Sequence, residues 1–163
     1  EAQDAIDMMN QTGCDGVVVG RGCLGKPWLF RDLVNAFRGE EVQASPDLGF
    51  VLGVMLEHAQ GLMQIMGPEF GIRNFRKHCG WYLTGYTVGS EVRRSFSTAA
   101  TFADLERVAA GLDHTMRLVE GGERFARGHT NGPIKVVLPE GYLENRDDLT
   151  VPDDGHEMAL SGG

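Results

Sequence analysis

The sequence predicts an α/β segment followed by an all-α one and then an irregular acidic tail. Three observations carry that reading. Gly16-Val17-Val18-Val19-Gly20 is a β-branched run, apolar on both faces and set between stretches of helical spacing, as in a buried parallel strand. From Asp47 the apolar residues recur with helical period and no second strand pattern follows. After Gly121-Gly122 that period is lost, and residues 121 to 163 hold 8 acidic against 4 basic side chains, half of the net charge of −8.

A length of 163 residues suits one compact domain or part of a larger protein, and 42% hydrophobic residues exclude wholesale disorder. No apolar run approaches the roughly 18 residues that cross a bilayer, and no charged-then-apolar leader opens the chain, so the expectation is a soluble, cytoplasmic protein. The acidity argues against holding nucleic acid by bulk charge and leaves only a local basic stripe for that role. Cys14, Cys23 and Cys79 are odd in number and lack CxxC spacing, which indicates neither a disulfide framework nor a zinc knuckle. They read as reduced, structural thiols, and no metal site is expected.

In order along the chain, Glu1 to Gln11 has helical spacing, with Ala2, Ala5, Ile6 and Met9 apolar, and Thr12-Gly13 ends it. A chain that starts inside an amphipathic helix suggests a piece of something longer. The valine strand follows, then a glycine-rich loop, Arg21-Gly22-Cys23-Leu24-Gly25-Lys26, and Pro27 where a helix's first turn accepts a missing N–H. The next helix runs through Trp28, Leu29, Leu33, Val34 and Phe37 to near Gly39. Helix, strand, loop, helix is the closing unit of a β/α fold. Ser45-Pro46 marks the change of domain. Four helices are then expected: from Asp47 to Met66, about Glu69 to Thr84, about Ser90 to Ser97 and about Thr101 to Glu120, reading as a helical bundle. In the tail, Ile134 to Leu138 is a candidate short strand.

Two stretches can carry chemistry. Gly20-Arg21-Gly22 lies directly after the strand, where backbone N–H groups can converge on a phosphate; a plain tight turn is the competing reading. On the second helix, Arg73, Arg76 and Lys77 fall within an arc of roughly 100° while Phe75, Cys79 and Tyr82 gather opposite. That cationic front suits nucleic-acid phosphates, or else is a solvated face paired with acids such as Glu69. His78 lies between the faces, and without a second His at i+3 or i+4 it is no metal ligand. Arg93-Arg94 would extend the basic surface. No Ser/His/Asp order, HExxH or Walker loop is present.

Thr12 to Phe30, Thr-Gly-Cys-Asp-Gly-Val-Val-Val-Gly-Arg-Gly-Cys-Leu-Gly-Lys-Pro-Trp-Leu-Phe, closely resembles the end of the flavin-binding barrel in bacterial tRNA-dihydrouridine synthases. Arg73 to Leu83, Arg-Asn-Phe-Arg-Lys-His-Cys-Gly-Trp-Tyr-Leu, is similar to that family's signature in its C-terminal helical domain. The resemblance covers about residues 1 to 120. It implies the last helix-strand-helix unit of a TIM barrel followed by a four-helix bundle, in an enzyme that uses NADPH and FMN to reduce the 5,6 double bond of uridines in tRNA. By position, Gly20 and Arg21 would bind the FMN phosphate, mainly through backbone amides, with Gly22 keeping the approach open. Arg73, Arg76, Lys77 and His78 would face tRNA.

The family's catalytic cysteine belongs to an earlier barrel loop and matches none of the three cysteines here, so no catalytic residue is expected in this chain. An Asn-Gly-Asp segment that also touches FMN would fall just ahead of Glu1. The expected organisation is residues 1–40 as the C-terminal end of the FMN barrel, 41–46 as a linker, 47–120 as the tRNA-binding helical domain and 121–163 as an extended or disordered tail. Turnover would then need the missing N-terminal barrel portion; the chain is otherwise expected to be a monomer without a membrane partner. The alternatives are a stand-alone helical RNA-binding or protein-adaptor module, or the end of another phosphate-binding barrel enzyme.

Overall fold

The structure, a computed structural model, describes residues 1–127 and Asp147. The remaining tail, with the candidate strand at Ile134 to Leu138, lies outside the described residues. Among the described residues six α-helices follow in order: α1 (Ala2–Thr12), α2 (Leu29–Phe37), α3 (Leu48–Met66), α4 (Pro68–Tyr82), α5 (Gly89–Thr98) and α6 (Phe102–Ala110). Short 3-10 turns occupy Arg21–Cys23 and Gly122–Arg124.

The expected strand is corrected. Among the described residues none is in a strand, and Gly16 to Gly20 carries no regular structure. A strand exists only through ladder hydrogen bonds to a neighbour, and no described segment pairs with this one. The burial nevertheless alternates: Val17 and Val19 pack against the small core formed by Ala2, Ala5, Leu29 and Leu33, whereas Val18 is 99% exposed.

A larger core joins α3 to α6. Leu48, Val51, Leu52, Met55 and Ala59 of α3 meet Ile72, Phe75, Cys79 and Tyr82 of α4, with Phe96 of α5 and Leu105 and Ala109 of α6 closing the cluster. The apolar stripes spaced at three and four residues thus reach one another, and each large side chain removed from water contributes about 1.5–3 kcal/mol. The α3–α4 pair approaches so closely that a Cβ on Gly71 would lie 2.5 Å from Met63 Cα. Only glycine lets the two backbones pack at that point.

Two expectations about these helices need correction. α3 is 19 residues long with a mean hydropathy of 1.2, so among the described residues one helix is long and apolar enough to cross a bilayer by length and composition. Its five buried residues all belong to the larger core, and Glu57, His58, Gln60 and Gln64 interrupt its other faces. The fourth expected helix stops at Ala110 rather than continuing to Glu120. Asp113 turns the chain by accepting from the Thr115 N–H and hydroxyl at 2.9 and 2.7 Å. The carbonyls of His114 and Met116 then accept from Gly49 and Leu48 N–H at 2.8 and 2.9 Å. The unpaired first-turn amides of α3 claim this segment, which outweighs its helical spacing. Leu112 and Met116 still pack on the core.

Candidate functional site

The glycine loop leaves the extended valines at Gly20 and turns at once into the Arg21–Cys23 3-10 turn, held by a Cys23 Sγ to Gly20 carbonyl contact of 3.2 Å. Nothing lies within 4 Å of the place a Gly20 Cβ would occupy, and Gly22 meets only a Leu29 methyl at 3.9 Å. Both glycines therefore leave room beside the loop where a side chain would otherwise stand. Farther on, Gly25 sits at φ 63° with its Cα pressed on the last turn of α4, where a Cβ would fall 2.3 Å from the Trp81 carbonyl carbon. That contact fixes the loop against the C-terminal end of the helix that carries the basic residues. Trp28 adds an edge-to-face contact with Phe50 at 5.8 Å.

Beside the loop opens a cleft of about 330 Å³, with Arg21, Gly22 and Lys26 among its walls on one side and Arg124 and Arg127 on the other. Arg127 folds back over the end of α4, donating to the carbonyls of Trp81 at 3.3 Å, Thr84 at 3.4 Å and Glu123 at 3.3 Å. A guanidinium there satisfies carbonyls that the helix leaves unpaired. Arg93 does the same for Leu83 and Tyr86, donating at 2.8 Å to each.

On α4 the four basic candidates part ways. Arg73 and Lys77 are exposed; the Arg73 guanidinium lies 5.6 Å from the Phe70 ring centroid, and Lys77 Nζ lies 3.5 Å from Asn74 Oδ1. Arg76 is half-buried, and its Nε donates to the Ala99 carbonyl at 2.6 Å, closing the end of α5. His78 turns toward α3, its ring 4.7 Å from His58 and 5.0 Å from Trp81. Burial, helped by His58 and Lys77, pushes its pKa down to about 4, so it is neutral near pH 7 and offers a phosphate no charge. Among the described residues no ion pair joins Arg73, Arg76 or Lys77 to a carboxylate. The solvent-facing cationic surface is thus Arg73 and Lys77, with exposed Arg94 on α5.

Sequence reasoning missed three residues. His58 receives or donates a 3.1 Å hydrogen bond at the Tyr82 hydroxyl and joins an aromatic group with Phe75, His78 and Tyr82. Its position at the edge of the α3 apolar stripe, three residues after Met55 and four before Leu62, was the available signal. Lys26 is buried at 7% exposure although it is a lysine, and only its place between Gly25 and Pro27 in an apolar stretch hints at that. Arg127 lies beyond the periodic region and gives no local signal. Cys79 is a poor nucleophile: it is buried between the Phe75 and Phe96 carbonyls, and burial pushes its thiol up to about 12. Among the described residues no cluster of His, Cys, Asp and Glu is arranged to hold a metal.

A family model described as dihydrouridine synthase matches residues 1–116. The chain is 42% identical over 162 residues to a probable tRNA-dihydrouridine synthase of Mycobacterium tuberculosis, covering 99% of this chain and 41% of that protein. It is 41% identical over 163 residues to the similarly named protein of Mycobacterium leprae, covering 100% of this chain and 42% of the relative. A tRNA-dihydrouridine synthase B of Pseudomonas putida is 38% identical over 95 residues, 58% of this chain and 28% of that protein. The chain spans about two fifths of the length of the mycobacterial relatives.

Proposed function

The chain belongs to the dihydrouridine synthase family, and from that premise we propose that it is the flavin-phosphate end and tRNA-binding part of a cytoplasmic enzyme that reduces the 5,6 double bond of uridines in tRNA. The observation that carries the reading is the seat of Gly25 on the Trp81 carbonyl. It seats the glycine loop on the C-terminal end of the basic helix within one compact unit, so a flavin held at the loop and an RNA held on α4 would be carried by adjoining elements.

The loop fits an FMN phosphate: Gly20 faces open space, Gly22 meets one methyl, and the adjoining cleft is lined by Arg21. Gly20, Arg21 and Gly22 would hold the phosphate, chiefly through backbone amides. When bound, FMN supplies hydride-transfer chemistry, with NADPH as the reductant. Arg73 and Lys77 would contact tRNA phosphates directly, Arg76 would hold α5 in register with them, and His78 would serve as a neutral ring. Val18, Phe30, Val34 and Phe37, all exposed here, would face the remainder of the barrel, which supplies the catalytic cysteine. Residues 1–163 alone would then lack turnover.

The test is genetic. Cells lacking the gene should lose dihydrouridine from at least one tRNA, the intact gene should restore it, and a gene for residues 1–163 should not. Unchanged dihydrouridine in the deletion strain would reject the enzyme and favour a stand-alone RNA-binding or adaptor module.

A further inference from the structure

We propose that Lys26 is a phosphate-binding residue, its ammonium meeting a phosphate oxygen in the cleft between the glycine loop and the Gly122–Arg124 turn. Lys26 is 7% exposed, and no hydrogen bond or ion pair to its amine is found among the described residues. A buried ammonium without a partner is costly, by several kcal/mol when fully sealed. It is not sealed: no buried side-chain nitrogen or oxygen among the described residues lacks a partner. The stem is therefore covered while the head reaches a cleft, as long cationic side chains do. Lys26 is in the walls of a cleft of about 330 Å³ beside Arg21 and of one of about 280 Å³ beside Asp32.

The larger cleft suits an anion better than a neutral ligand. Arg21, Lys26, Arg124 and Arg127 line it against Glu1, Asp4 and Glu123. Arg124 is matched by Glu1 at 2.8 Å and Asp4 at 3.5 Å, and Arg127 by three carbonyls. Lys26 has no such match. Burial, and then the neighbouring Arg127, lower its pKa, with Glu1, Asp32 and Glu123 pulling the other way. The charge of a bound anion would offset both influences by favouring the ammonium. The smaller cleft already has Asp32, occupied by Arg31 at 2.9 Å. A tetrahedral phosphate is favoured because its several oxygens can take the Lys26 ammonium and a backbone N–H of the adjacent turn together.

Two sources carry that chemistry, a flavin phosphate and an RNA backbone, and choosing between them rests on the proposed function. The full chain would be titrated with inorganic phosphate, with FMN against riboflavin, and with a tRNA transcript over a salt series, for wild type, Lys26→Met and Lys26→Arg. Phosphate should shift the amides of Arg21, Gly22 and Lys26 in the wild-type NMR spectrum, a reading that needs no variant to fold. Lys26→Met should keep or raise the melting temperature and weaken phosphate binding by about tenfold to a hundredfold, and Lys26→Arg should retain binding. A preference for FMN over riboflavin that vanishes in Lys26→Met assigns the flavin. A salt slope for tRNA that falls by about one assigns the RNA. Phosphate bound without either larger ligand would leave the site standing and reject both sources for residues 1–163, while the deletion strain decides the proposed function. Lys26→Met binding phosphate as tightly as wild type, or no wild-type shifts at those amides, would overturn the site.

Discussion

Residues 1–40 and the α3–α6 region bury their apolar side chains to very different degrees. The first has four buried apolar residues, two of them alanines, and leaves Met8, Val18, Phe30, Val34 and Phe37 between 45 and 99% exposed. The second buries sixteen residues in one cluster, with Phe75, Phe96, Leu48 and Leu105 at 1% or less. Burial of apolar surface is the main favourable contribution to folding. The difference teaches that the helical region has the means to stand by itself, while the glycine loop borrows its position from that region through Gly25 and Trp28.

The largest expected effect sets the two cores against each other. Phe96→Ala should lower the stability of the whole helical region by about 3–5 kcal/mol, read as a shifted urea midpoint in circular dichroism. Leu33→Ala should leave that midpoint nearly unchanged and speed hydrogen exchange only in α1 and α2. Equal shifts from both variants would mean that the two regions unfold as one unit, and the comparison would break.

Next in size is the joint itself. Gly25→Ala combines a left-handed φ with a Cβ inside the Trp81 carbonyl, so it should cost about 1–3 kcal/mol of strain or release the loop. Release should raise exchange in α1 and α2 and change Trp28 fluorescence while α3 to α6 stay protected. Protection unchanged at both ends would show that Trp28 on Phe50 holds the loop without Gly25.

Between pH 6.5 and 4, acid should act mainly on the helical region. His78 is held at about 4 when folded, against 6.5 when free, and His58 is lowered too, also by burial. The folded state therefore binds fewer protons, and the stabilisation is complete above pH 6.5 and is lost as pH falls toward 4. About 2 kcal/mol should disappear from the helical region over that window. Residues 1–40 contain no histidine and should show no matching loss. His78→Phe should flatten the profile.

Legibility in the sequence divides along the same line. The buried face of α4, Ile72, Phe75, Cys79 and Tyr82, with Leu83 just past its end, follows from helical spacing because its partners are within the chain. The valine strand was equally clear as a pattern, yet a strand's identity lies in hydrogen bonds to a neighbour, and that neighbour is not among the described residues. The end of α6 was hidden because distant α3 amides decide it. At the site, the glycines and exposed Arg73 and Lys77 were legible from position. The inward turn of Arg76 and the burial of Lys26 were not, since both depend on carbonyls and clefts made by residues far away in sequence.

The smallest effect probes whether a local change spreads. Thr101 caps α6 in a capping box: its hydroxyl accepts from Asp104 N–H at 3.2 Å, and Asp104 accepts from Thr101 N–H at 2.9 Å. Thr101→Ala should cost about 1 kcal/mol. Because Leu105 and Ala109 bind α6 into the larger core, that loss should appear in the global urea midpoint rather than as fraying of one helix. Asp104 is held down to about 2, first by its bond with the Thr101 hydroxyl. The cap therefore persists through the histidine window and fails only as pH drops from about 4 toward 2. Thr101→Ala and wild type should accordingly lose stability in parallel between pH 6.5 and 4 and converge below it. A loss confined to α6 amides in hydrogen exchange would show that the helical region is less cooperative than its single core implies.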